Sequence, residues 1–182
     1  MLQIDLATLR AGTASYTDLT SAISHADLRT ETSELFNNIQ TIIANATDAA
    51  VTLVPEDSQA GEGEHGWTLG HVIAHLTASL EEQATTSALL ARGFTLEQRF
   101  HTETPWESIT TVEQLQARLR ECNRLCNAYL DAWPDNPDLS ATVTRIPFIG
   151  PMNAIGCYVL GILHGQMHYD QLKEIMRQAR EA

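Results

Sequence analysis

Residues 110–133 read TTVEQLQARLRECNRLCNAYLDAW, and within them Val112, Leu115, Leu119, Cys122, Cys126, Tyr129 and Trp133 recur at alternating steps of three and four. Steps of that size keep side chains on one face of a helix, whereas a half-buried strand repeats every two residues. The pattern predicts a long amphipathic helix. Thr110 and Glu113 stand at capping-box spacing ahead of it, and Pro134 and Pro137 close it. A helix with one apolar stripe is stable only when other elements cover the stripe, so the rest of the chain must supply partners.

Partners are readable on both sides. Upstream, residues 27–53 carry Leu28, Leu35, Ile39, Ile42, Ala46, Ala49 and Leu53 on one stripe, with Thr32 filling its gap, and predict a single helix. PEDSQAGEGEHG at 55–66 has a loop composition. Thr68 is then placed as the N-cap of a helix whose buried face holds Leu69, Val72, Ile73, Leu76 and Leu80, running to about Ala91. Downstream, residues 141–148 alternate briefly and predict an extended arm or small hairpin. Gly150 with Pro151 predicts the cap and first turn of a last helix reaching about Gln178. Tyr16, Leu19 and Ile23 mark a weaker N-terminal piece, an arm or short helix. The expectation is an all-α four-helix bundle, one domain over 1–182 with its core at about 27–178. It carries an extra N-terminal helical segment and a short extended arm before the last helix.

The chain has 182 residues with 11 Lys and Arg against 23 Asp and Glu, a formal net charge of −12. Binding to nucleic acid needs clustered basic side chains, and here they are scattered, so nucleic acid is not expected as a partner. No apolar window is long enough to span a bilayer, and MLQIDLATLR at the N-terminus reads as no secretory signal. Cys122, Cys126 and Cys157 lack CxxC spacing and are odd in number, which fits reduced thiols in the cytoplasm.

The chemistry sits with histidine. Of seven, four form two HxxxH pairs, His71 with His75 and His164 with His168. Residues four apart share a helix face, so two imidazoles can converge on one ion, as they do in zinc sites. His164 and His168 lie among Ile155, Val159, Ile162, Leu163, Leu172 and Ile175, and buried imidazole is costly unless it is hydrogen-bonded or ligated. A third ligand should come from the helix after Trp67, where His75 borders the buried stripe. His71, one turn earlier, reads as a neighbour of the ligands or a fourth one, with a solvated position as the plainer alternative.

Around this cluster, Gly161 and Gly165 bracket His164 and suggest either close helix packing or open space for a substrate, whereas Gly156 suggests packing. Gln171 flanks the pair. Cys157 lies too far along the helix from His164 to share its ion and reads as a core or pocket-wall thiol. Glu82, seven residues after His75, could orient a ligand or act as a base, though an exposed helical Glu is the commoner case. Arg145 could meet an anionic thiol at the bundle mouth or be an ordinary surface charge. Gly165 stands where HExxH peptidases need their Glu, and the lone ExxH, Glu62 to His65, lies in the loop, so peptidase and carboxylate-bridged di-iron chemistry are excluded. No GxSxG or P-loop string is present.

WTLGHVIAHL at 67–76 followed by LHGQMHYDQL at 163–172 resembles the DinB-like superfamily of four-helix-bundle metalloproteins. The family pattern is a Trp, a capping Ser or Thr, a His eight residues after the Trp, and a late HxxxH followed by Gln and an apolar residue. Trp67, Thr68, His75, His164, His168, Gln171 and Leu172 fill it. One departure is His71, where relatives often carry an acid. The resemblance implies three histidine ligands, His75, His164 and His168, for a divalent ion, commonly zinc or nickel, with remaining positions open. It also implies a low-molecular-weight thiol as cosubstrate, as in bacillithiol S-transferases and mycothiol-dependent maleylpyruvate isomerases, and pairing into homodimers. A metal-dependent thiol transferase is the first expectation. A non-catalytic metal or small-ligand binding protein of the stress response, or a metal-dependent hydrolase, is the alternative.

Overall fold

The computed structural model describes residues 2, 4–56, 66–96, 98–99 and 103–182, and the described residues are helical with no strand. Helices α1 (Leu6–Arg10) and α2 (Tyr16–Thr20) precede α3 (His25–Ile42), α4 (Asp48–Thr52) and α5 (Leu69–Leu90). A 3-10 turn at Trp106–Ser108 leads to α6 (Val112–Asp131), α7 (Ala154–Met167) and α8 (Tyr169–Gln178). The bundle is made by α3, α5, α6 and the α7–α8 pair. Helix α5 packs most extensively on α7 and then on α6, while α3 lies against α7, α6 and α8. One core holds them, with Leu28, Leu35, Ile39, Leu69, Ile73, Leu76, Leu115, Leu119, Val159, Ile162 and Leu172 all buried. Among the described residues, no helix is long and apolar enough to cross a membrane.

Side-chain caps fix where the helices begin. Ser15 with Asp18, Ser24 with Asp27, and Thr111 with Gln114 each satisfy orphan backbone donors reciprocally. The Thr68 hydroxyl accepts the His71 N–H at 3.1 Å and starts α5 as its sequence predicts. The capping box of α6 stands one residue later than Thr110 and Glu113 would place it. The stripe expected over 27–53 also divides. Helix α3 ends at Ile42 and Thr47 caps α4, accepting the Ala50 N–H at 3.2 Å. That restart changes the face: Ile43, Ala50 and Val51 enter the core while Ala49 is exposed. A local cap here overrides the apolar period. The Asp48 carboxylate then accepts the Val112 N–H at 2.8 Å and ties α4 to the start of α6.

The last helix departs from its expected start. Val143 and Met152 form one antiparallel bridge, with both N–H···O distances 2.9 Å, so the chain turns back on itself over 146–150 and Gly150 and Pro151 belong to the returning limb rather than to the helix. Asn153 provides the cap, accepting the Gly156 N–H at 3.0 Å. The predicted continuous helix to Gln178 is interrupted at His168, whose N–H bonds Gly165 O at 3.3 Å in a tightened turn before α8 begins. The N-terminal segment is two short helices, and α2 packs on α7: a methyl group on Gly156 would lie 3.3 Å from the buried Tyr16 ring. The 55–66 loop lies mostly outside the described residues, as do His65 and His101.

Candidate metal centre

Helices α5 and α7 run antiparallel along a shared seam. His75 meets His164 at one level, Gln83 meets Cys157 and Gly161 further along, and Ser87 Oγ donates to Ala154 O at 2.7 Å beyond that. The first level gathers the histidines. His75 Nε2 and His168 Nε2 each lie 3.3 Å from His164 Nε2, and one nitrogen from each ring lies within 4.8 Å of the others. The rings meet edge to face, with centroids 4.8 to 5.4 Å apart. His168 is 4 % exposed, and His75 and His164 are half-buried.

The spacing suits coordination. Two nitrogens 3.3 Å apart at ligand distances of about 2.1 Å subtend an angle of about 105°, near tetrahedral. Proton placement agrees. Gln171 Oε1 lies 2.7 Å from His168 Nδ1, so that nitrogen carries the proton and the Nε2 lone pair faces the cluster. His164 is pushed down to about 4 by burial and by the facing His168 and His75 rings, which leaves it neutral at ordinary pH. Its Nδ1 is buried without a hydrogen-bond partner among the described residues. Three neutral imidazoles are the donor set of zinc, nickel, copper and iron rather than of calcium or magnesium.

His71 stands apart from the group of three. Its ring is sandwiched between Trp67, at 4.1 Å and 22°, and Trp106, at 4.6 Å and 9°. Partial burial holds its pKa below the usual value against the opposing pull of Glu103 and Glu107. Trp67 also sets its edge against His75 at 5.0 Å, so its role exceeds that of a helix-start staple. Sequence reasoning missed Trp106, which belongs to a TPWES turn with no periodicity; a Trp in a short turn was the only signal available.

Gly161 and Gly165 do not leave open space. A methyl group on Gly161 would lie 2.9 Å from Gln83 Cβ, and one on Gly165 3.0 Å from Leu35 Cδ1, so both let helices approach closely. Cys157 is fully buried, its Sγ 3.0 Å from Gln83 Oε1, and burial pushes its pKa up to about 12. Glu82 is not at the surface. Its carboxylate is wholly buried and held by Arg99 through two bonds of 2.7 and 2.9 Å. Arg145 bonds Leu96 O at 3.3 Å and acts electrostatically on Cys157, at that level of the seam rather than beside the histidines.

The sequence model of the DinB superfamily matches residues 8–172, a span that runs from within α1 into α8 and includes His75, His164, His168 and Gln171. No curated protein and no solved structure matches the chain. With the match extending over most of the chain and an all-α bundle beneath it, the protein belongs to the DinB superfamily.

Proposed function

We propose that this protein binds one divalent cation, zinc or nickel, through Nε2 of His75, His164 and His168, and transfers a low-molecular-weight thiol to an electrophile. The observation that carries the reading is the convergence of the three nitrogens at a spacing that one ion would fill. Bound there, the ion supplies Lewis acidity and lowers the pKa of a thiol or water at an open position. The chain's own residues prepare that site. Gln171 fixes the proton of His168 on Nδ1, Trp67 backs the His75 ring, and burial keeps His164 neutral.

The cysteines bear on the source of the nucleophile. Cys122, Cys126 and Cys157 are all buried, and burial raises the pKa of Cys122 and Cys157, which disfavours their thiolates. That supports an external nucleophile, and three thiols free of disulfides suit a reducing cytoplasm. The test begins with metal analysis of protein purified without a His tag. About one equivalent of metal is expected; less than about a tenth, unchanged on reconstitution, would sink the reading. S-transfer from bacillithiol, mycothiol, glutathione or coenzyme A to a chlorinated aromatic or epoxide should then be measured. Turnover that survives His164→Ala removes the mechanism. Thiol binding without turnover makes the protein a binding protein, and thiol-independent turnover makes it a hydrolase.

A further inference from the structure

The two HxxxH pairs lie on adjoining helices, yet only three of the four imidazoles converge. His71 and His75 are one turn apart on α5 and share a face, since Trp67 touches both rings. Because α7 runs antiparallel, it brings His168 toward the same end of α5 that carries His71. A set of two HxxxH pairs so disposed could close around an ion with four nitrogens. Instead the His71 ring lies nearly parallel between two indoles.

The clamp is built into the backbone. Trp106 stands in a 3-10 turn whose next residue, Ile109, is buried against α5. A Cβ on Gly70 would lie 2.7 Å from the Ile109 carbonyl oxygen, so the turn seats on α5 only because residue 70 has no side chain. Seated there, immediately beside His71, the turn lays the Trp106 ring over the imidazole.

We propose that Trp67 and Trp106 are positioning residues that hold His71 out of the coordination sphere and keep a fourth position of the histidine centre open for an external ligand. The proposal rests on the metal-binding reading above. Releasing the clamp lets His71 close the site as a fourth nitrogen, which tightens the metal and shuts out the thiol.

Titrations with Zn2+ alone and with Co2+ as a spectroscopic probe test this on the full chain. His71→Ala should leave the Zn2+ Kd and the Co2+ absorption bands as in the wild type. Trp106→Ala should tighten Zn2+ by about ten-fold or more, the scale on which neighbouring groups shift metal affinity. It should also change the Co2+ bands and abolish their response to added 2-mercaptoethanol. Trp106→Phe, which keeps a ring over His71, should restore wild-type behaviour, and Trp106→Ala combined with His71→Ala should do the same. Circular dichroism establishes that each variant is folded; if Trp106→Ala is not, Trp106→Leu keeps apolar cover without the stacked ring and carries the same expectations. Unchanged Co2+ bands in the folded Trp106 variant, or altered bands in His71→Ala alone, overturn the proposal. Failure of the wild type to take up metal instead overturns the metal-binding reading.

Discussion

The two HxxxH pairs have the same spacing and opposite surroundings. On α7, His164 and His168 turn toward each other and toward His75, with nitrogens 3.3 Å apart. On α5, His75 joins them while His71 is taken up by Trp67 and Trp106. Spacing therefore decides which residues share a face, and the neighbouring elements decide what each ring does there. The difference can be broken at either end. Substituting His164, the ring that faces both others, should weaken Zn2+ binding by at least about 100-fold, since two ligands rarely hold what three do. His71→Ala should change it less than two-fold. Calorimetric titration of both apo variants measures the contrast, and equal losses would erase it.

Proton binding separates the same rings in the metal-free protein. His164 sits at about 4 when folded against an ordinary 6.5. As pH falls from above 6.5 toward 4, the unfolded chain takes up a proton that the folded site refuses, so stability declines with falling pH. The drop reaches about 3 kcal/mol at the lower limit and is absent above pH 7. Urea unfolding at stepped pH in the presence of chelator should show it, and His164→Gln should flatten the wild-type slope across that window. His71 is lowered for the same cause, burial, but Glu103 and Glu107 oppose it, so His71→Gln should flatten the slope less. The reverse ranking would mean that the two environments have been misassigned.

Among the described residues, the hydrogen bond from His168 to Gln171 has no counterpart at the His71 ring. Gln171→Ala removes the acceptor 2.7 Å from Nδ1 and frees the ring to carry its proton on either nitrogen. A loss of about 10- to 100-fold in Zn2+ affinity is expected, with the fold unchanged by circular dichroism. An unaltered Kd would show that the ring is held by packing alone.

What the sequence disclosed and what it concealed divide along similar lines. Stripes such as Val112 to Trp133 announce helices because their period is local, and the juxtaposition of His75, His164 and His168 follows once the helices must pack. Features set by distant segments were not legible. Glu82 reads as a surface residue until Arg99 reaches it, Gly161 reads as space until Gln83 fills it, and nothing in TPWES says that Trp106 covers His71. The tightened turn at His168 is hidden as well, because HGQMHYDQL continues a helical pattern through it.

The smallest expected effect concerns a cap, where local and tertiary signals differ by one residue. Thr110 and Glu113 have the spacing of a capping box, and so do Thr111 and Gln114; the structure uses the second pair. Thr111→Ala leaves the Gln114 N–H without its side-chain acceptor and should cost about 1 kcal/mol of stability. Thr110 contributes a hydroxyl bond to the exposed Gln114 side chain, and Thr110→Ala should cost about a quarter as much. The preference has a tertiary cause. With Thr111 as cap, Val112 is the first helical residue, and its N–H is the donor that Asp48 accepts from α4. Asp48→Asn in the Thr111→Ala background should therefore cost less than in the wild type, a coupling readable as a difference between urea midpoints. Strict additivity would mean that the two ends are fixed independently.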